Sequence, residues 1–429
     1  MVAAVPAIRS NPLRYLEGVV ARFGDMVAFP LPRTPALLVN TVAGARRVLV
    51  ENQRGYSKQT VQYGALSLVT GVGLLTADGD AWRARRRIDQ PAFHHGSLHV
   101  VAEQSVAAAE RLRASWPSDG VVDVDAATLR ATLEVVGRTL FGTDLAPDGE
   151  RLVASVLGAL AVVVARARTP VPVPSWAPTP GNRRLRRAVA TLDEACAAVV
   201  SRRRAAGVDD ADADLLALLL RAADVGELTD EQVRDELVTM VIAGHETVAS
   251  SLTWTLHLLS LHPVAQERLH AELGAVLGSR APAWHDLASL TWTRAVVDES
   301  LRLYPPAWVL TRRAVTDDVV DGVAVPAGSL VIISPWLLHR RADVFTDPLA
   351  FSPERFVGGD ALPRAGYIPF GAGSRLCIGR DFALVESVLV LASLLAEHAV
   401  EPVPRRAVEV DALVTLRPRG GLPLRLRHR

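Results

Sequence analysis

Cysteine is almost missing from this chain, which holds two, Cys196 and Cys377, among 429 residues. That scarcity excludes a disulfide framework, and it excludes structural zinc or iron–sulfur centres that need several thiolates. Net charge is equally sparse: 47 basic against 46 acidic residues leave +1, so nothing points to a nucleic-acid binder. No apolar stretch reaches the roughly 20 residues of a membrane span. The longest, Leu152 to Ala165, is bounded by Arg151 and Arg166 and reads as a buried helix. The first residues, MVAAVPAIRSNPLRYL, lack a basic region followed by an unbroken apolar run. Neither a secretory signal nor an anchor is expected, and two cysteines without an export signal favour a reducing cytoplasm. Two tempting motifs also fail. A metallopeptidase HExxH would need histidine where Ala249 stands after His245-Glu246, and a dinucleotide fingerprint opening on Gly371-x-Gly373 would need glycine where Leu376 stands.

What is present is mostly helical text in one continuous body, without repeats or a low-complexity linker. The clearest helix opens on TDEQ, Thr229 to Gln232, a capping box, and runs until His262-Pro263 stops it. Thirty-odd residues span roughly 45 to 50 Å, and the middle, LVTMVIAGHETVASSLTW, is apolar on nearly every face, so this helix crosses the interior. A second, through LASLTWTRAVVDESLRLY, ends at Pro305-Pro306. Short strands and hairpins follow in AVTDDVVDGVAVPAGSLVIISP, with turns at Asp321-Gly322 and Ala327-Gly328, which makes strand a minor, late component. TPVPVPSWAPTPG, Thr169 to Gly181, carries five prolines and reads as a stiff loop between helices.

Cys377 sits where the helix RDFALVESVLVLASLL would begin, so free amides and the positive dipole end favour its thiolate. Gly371, Gly373 and Gly379 let the backbone fold closely around the sulfur. One cysteine suffices as the axial ligand of a haem iron. FGAGSRLCIG, Phe370 to Gly379, resembles the haem-binding signature of the cytochromes P450. Three further segments resemble that family in its order: DAWRARRRIDQPAF from Asp80, AGHET from Ala243, and ESLR from Glu299 followed by PERF from Pro353.

The resemblance implies a mainly α fold with a minor β-rich region, a triangular prism with haem between the long central helix and the cysteine-loop helix, forming one domain over 1–429. It implies haem b (iron protoporphyrin IX) on Cys377, with Phe370, Gly371 and Gly379 around it. Trp82, Arg86, Arg312 and Arg375 would serve the propionates. Ala243, Gly244, Glu246 and Thr247 would form the oxygen-activating stretch, Gly244 giving dioxygen room and the acid and alcohol relaying protons. Glu299, Arg302 and Arg355 would form a structural charge triad. Gln62, Tyr63, Leu74, Trp308, Val309 and Val414 would face the substrate beside Ala243 and Thr247. Arg83, Arg85 and Arg87 are either a solvated basic face or a docking face for an acidic electron donor. The implied activity is insertion of one atom of dioxygen into a hydrophobic molecule, with a ferredoxin and its reductase, or a flavodoxin, supplying electrons to a monomer. QYGALSLVTGVGLLT, LRLYPPAWVLTRR and VTLRPRGGLP are similar to the bacterial group containing thermostable β-carotene hydroxylases, which makes a carotenoid the expected substrate. Fatty acids or terpenes as substrates, a peroxygenase, and a cysteine-ligated haem sensor stay open as alternatives.

Overall fold

The computed structural model describes residues 8, 10–29, 35–145, 149–167, 174, 176–207, 214–358, 366–404 and 407–429. Its longer helices are α1 (Pro12–Phe23), α2 (Val61–Thr70), α3 (Gly79–Asp89), α4 (Leu98–Ala114), α5 (Val124–Leu140) and α6 (Gly149–Ala167). They continue with α7 (Pro180–Ala206), α8 (Leu215–Asp224), α9 (Asp230–Leu261), α10 (Pro263–Leu277), α11 (Thr291–Leu303) and α12 (Arg380–Leu395).

Helix α9 is the expected interior crossing. Thr229 and Gln232 close its first turn reciprocally, and His262 turns extended (φ −126°, ψ 76°) ahead of Pro263. It packs most extensively against α5, while α12 packs against α4, and both helices contribute to one large apolar cluster. Helix α11 ends as expected, but it starts later than its apolar pattern suggests. The Glu272 carboxylate accepts the N–H groups of Trp292 (2.6 Å) and Thr293 (2.8 Å), so the cap comes from α10 and the preceding LASL forms a turn. Only one face of α6, with Leu152, Val156, Ala159, Leu160 and Val163, is buried. No helix among the described residues is long and apolar enough to cross a membrane. Residues 169–173 and 175 of the proline-rich run lie outside the described residues; Trp176 is 80% exposed, and Thr179 caps α7.

Strand is minor, as expected, but not confined to the second half. Strands β1 (Met26–Phe29), β2 (Ala36–Val39) and β3 (Tyr56–Ser57) join β5 (Leu310–Ala314) and β8 (Leu330–Ile333) in a sheet ordered β1-β2-β8-β5-β3, whereas β4 (Asp119–Asp123) lies elsewhere. All four residues of β2 are buried, and such a run without alternation carries no period-2 signal. The hairpin β6 (Asp318–Val320) to β7 (Val323–Val325) turns at Asp321 and Gly322, both at positive φ (48° and 78°), which is the geometry of a tight primed turn. A second sheet pairs β4 with β12 (Pro423–His428) and β9 (His398–Pro402), and β10 (Val410–Ala412) with β11 (Leu416–Pro418) form the hairpin beneath α9.

Candidate active site

The loop before α12 is pinned at both ends of its glycine run. Gly371 and Gly373 adopt left-handed φ (73° and 72°), and a Cβ on Gly373 would collide with the Leu49 carbonyl oxygen. Ser374 N–H donates to Gln53 Oε1 (2.7 Å), and Cys377 N–H donates back to Phe370 O (3.0 Å). Gly379 differs from expectation: its φ of −90° is not left-handed, and its contribution is an N–H directed at the sulfur. Water reaches the Cys377 side chain, yet protein crowds it enough that burial raises its pKa. The Gly379 N–H, Arg86, Lys58 and Arg380 oppose that rise, each favouring the thiolate. The sulfur therefore lines a recess and not the outer surface.

Helix α9 is buried from Asp235 to Leu256 except at Ala243, Gly244 and Thr247, which share one face. Thr247 Oγ1 donates to the Ala243 carbonyl at 2.8 Å. Glu246 points away from that face. It is 1% exposed, its Oε1 accepts the Thr415 hydroxyl (2.8 Å), and Oε2 has no partner among the described residues. Burial raises its pKa, while Arg417 and the Thr415 hydroxyl pull the other way and Asp125 adds to the rise. Arg417 is paired with Asp125 at 2.6 Å. Gly244 has a packing cause as well: a Cβ there would stand 2.8 Å from Val136 Cγ2 on α5.

Basic side chains converge beside the cysteine loop. Arg375 stacks on Trp82 with its guanidinium carbon 4.0 Å from the ring centroid, and it bonds Ala77 O (2.9 Å) and Asp78 (2.5 Å). Arg86 donates to Leu376 O (3.2 Å), and Arg312 is buried with a donation to its neighbour's carbonyl, Thr311 O. Lys58, 8% exposed, donates to Leu75 O (3.0 Å) and lies 4.7 Å from the Tyr63 ring centroid. Its pKa falls well below the usual lysine value through burial and the repulsion of Arg312 and Arg375. Asp78, which Arg375 already holds, also acts on Lys58, while Arg312 and Arg375 repel that lysine. Such a donor set fits a dianionic group placed between them.

Arg85 overturns the reading of Arg83, Arg85 and Arg87 as one surface face. Spacing puts 85 and 89 on the side opposite 83 and 87, and Arg85 is buried 3.0 Å from Glu236 on α9. Arg83 and Arg87 are exposed; with Trp82, Arg86 and His94 they line an open surface groove of about 430 Å³.

Glu299, Arg302 and Arg355 lie in one charge cluster. Arg302 meets both Glu299 oxygens (2.7 and 2.8 Å) and the carbonyls of His339, Pro348 and Ala350, so every guanidinium N–H is used. Arg355 Nε reaches Glu299 at 3.3 Å. The completely buried His339 ties this cluster to the cysteine segment. Its Nε2 accepts the Ile368 N–H (2.9 Å), so Nδ1 carries the proton and donates to Arg302 O (3.0 Å).

A sequence model described as Cytochrome P450 matches residues 2–420. The chain belongs to the cytochrome P450 family. It is similar to the cyclooctat-9-en-7-ol 5-monooxygenase of Streptomyces melanosporofaciens, at 37% identity over 93% of this chain and 87% of that one. It is similar also to the pentalenene oxygenase of Streptomyces avermitilis, at 34% over 98% and 93%. The crystal structure of CYP175A1 from Thermus thermophillus superposes with a TM-score of 0.81 and 32% identity, covering 99% of this chain and 98% of that one. The protein is thus a P450 monooxygenase, and its family is one of haem-thiolate enzymes.

Within this P450 the expected pocket residues divide. Gln62 and Tyr63 are part-exposed on α2, and Val414 packs against the large core. Leu74 is buried in that core, with its N–H on Glu236 Oε2 (3.0 Å). Trp308 is committed to another cluster, with Leu13, Leu16 and Trp336, its Nε1–H donating to Leu413 O (3.0 Å), and Val309 packs beside it. Sequence reasoning missed Lys58, His339, Thr415 and Arg417. Lys58 left a signal in the composition, since it is the only lysine of the whole chain. The partners of the others lie too far away in sequence to leave one.

Proposed function

We propose that this P450 hydroxylates a hydrophobic terpenoid, using haem b ligated by Cys377 and electrons from a separate ferredoxin and its reductase. The observation that carries the substrate class is the opening on α9: Ala243, Gly244 and Thr247 present small, uncharged groups, and the only ionic side chain next to them, Glu246, is turned away. A site so built selects by shape and apolar contact. The names of the two Streptomyces relatives, a cyclooctatenol monooxygenase and a pentalenene oxygenase, support the same class. A carotenoid, itself an isoprenoid, is the second reading, favoured by the sequence resemblance to β-carotene hydroxylases.

The haem, when bound, supplies the oxygen and electron chemistry. The chain's own residues do the rest. The Gly379 N–H stabilises the ligand sulfur, and Lys58, Arg312, Arg375, Arg86 and Trp82 receive the propionates. Thr247 holds a hydroxyl on the reacting face. Burial raises the pKa of the Glu246 carboxyl, which Thr415 orients and Arg417 restrains. Arg83 and Arg87 face solvent beside the groove, where an acidic donor protein can dock.

The test is a binding panel read in the haem spectrum, run with cyclic terpene hydrocarbons, β-carotene and fatty acids. Terpenes should perturb the spectrum and be oxidised when electrons are supplied; a response to fatty acids alone would overturn the substrate class. Thr247→Ala should divert reducing equivalents from product to peroxide by about tenfold or more. Unchanged coupling would remove Thr247 from the proton path.

A further inference from the structure

Between α3 and α9 lies a buried ionisable cluster that the reaction above does not use. Arg85 Nε stands 3.0 Å from Glu236 Oε1. Asp89, one turn along α3, is completely buried, and neither of its carboxylate oxygens has a hydrogen-bond partner among the described residues. Glu236 is also completely buried, and its Oε2 accepts the Leu74 N–H (3.0 Å). The adjacent Asp235 is already engaged by Arg234 (2.9 Å) and the Val72 N–H (2.7 Å). Arg85 is therefore paired with Glu236, while Asp89 feels Arg85 and Arg86 without a hydrogen bond to either. A second negative charge there would be buried without a hydrogen-bond donor among the described residues, and a group in that position takes up a proton instead.

Among the described residues, the charges acting on the pair are few. Glu236, Arg85 and Arg86 act on Asp89, and Arg85 and Asp235 act on Glu236. Helix α8 against α3 carries Arg221 and Asp224, which figure in neither set; Asp193 of α7 binds Arg234 at 2.6 Å; buried Glu386 of α12 responds to burial alone. We propose that Asp89 and Glu236 hold one proton between them, and that this proton latches α3 and residues 71–75 onto α9. Because α3 carries Trp82 and Arg86, opening the latch loosens the grip on the propionates. That consequence rests on the haem-thiolate reading; the latch itself does not.

The sign follows from linkage. Burial, with the neighbouring carboxylate, lifts Asp89 to about 8, and burial lifts Glu236 to about 7. The folded chain keeps a proton that the unfolded chain releases near pH 4. Stability is fully present below that unfolded value and is lost as pH rises through 7 to 8.

Amide exchange of the holoprotein tests it, with intrinsic exchange rates corrected for pH. Protection of α3 and of residues 71–75 should fall about tenfold between about pH 6 and about pH 9, while α11 holds. Asp89→Asn, which keeps the shape and does not ionise, should abolish the fall. Should that variant fold poorly, the infrared band of a protonated carboxyl in the wild-type protein serves instead, present on the acid side and lost on the alkaline side. Equal protection at both ends, an undiminished fall in Asp89→Asn, or absence of the band each overturns the latch. Pigment-free protein that still shows the pH-dependent exchange would support the latch and overturn the haem reading.

Discussion

Around Arg302 every guanidinium N–H finds an oxygen and the carboxylate of Glu299 meets two arginines, whereas beside Arg85 one of two buried carboxyls, Asp89, is left without a hydrogen bond among the described residues. Both clusters are buried and both join helices to loops, but only the first is saturated. Saturation leaves the Arg302 cluster without an unpaired charge, so its pH response comes from the histidine packed on it. The unsaturated cluster stores a choice. The basic group at Lys58, Arg312 and Arg375 is a third case, with positive charge in excess, and in the reading proposed above it would receive the haem propionates.

The largest effect should come from breaking the saturated cluster. Glu299→Gln leaves Arg302 buried without its countercharge, at a cost of about 3 to 5 kcal/mol. We expect little soluble, pigmented protein, checked by the haem-to-protein ratio and by denaturant unfolding. A variant with wild-type unfolding would show that backbone carbonyls alone hold the arginine.

Next in size is the opposite pH response of the two clusters. His339 is neutral in the fold, its pKa lowered to about 3 mainly by burial. A depressed histidine contributes stability above its unfolded value near 6.5, lost as pH falls through that value towards 3. At about pH 5 the loss from this group is about 2 kcal/mol relative to neutrality. Asp89 and Glu236 weaken the fold in the alkaline direction. Unfolding free energy should therefore be greatest in the mildly acidic to neutral range. His339→Gln should flatten the acid limb alone, and a change in the alkaline limb would mean that the clusters are coupled.

These two clusters also mark what the sequence could reveal. Glu299 and Arg302 sit three apart on one helix, so their proximity in sequence announced proximity in space, whereas Arg355, 56 positions on, was legible only through the family resemblance of PERF. Arg85 and Asp89 are also one turn apart, but Arg85 stood inside a run of arginines, and nothing nearby showed that Glu236 waited on the other side. Thr415 reaches Glu246 across 169 positions, and pairings of that kind leave no local trace. The cysteine loop was legible because sharp turns demand glycine at two fixed positions. The early strands were not, because β2 is buried on both faces.

Lys58 sharpens the third case. In a chain whose other basic side chains are arginines, one lysine fits because a compact ammonium can sit between Leu75 O and the Tyr63 ring, where a planar five-donor fork has no matching acceptors. Lys58→Met should speed haem transfer to a scavenging apoprotein by about tenfold, worth about 1.4 kcal/mol. Unchanged transfer would assign the propionates to the arginines alone.

The smallest expected effect separates two accounts of Gly244. Gly244→Ala places a Cβ 2.8 Å from Val136 Cγ2. Overpacking costs about 1 to 3 kcal/mol, partly offset by alanine's better helix propensity of about 1 kcal/mol, so the net loss should be near 1 kcal/mol. Val136→Ala removes the obstructing methyls, and the double variant should recover most of the melting temperature if packing is the reason for the glycine. Turnover reports on the other account. A Gly244→Ala protein with undisturbed melting, whose lost coupling Val136→Ala fails to restore, would place the glycine's open space on the reacting side of α9 and not against α5.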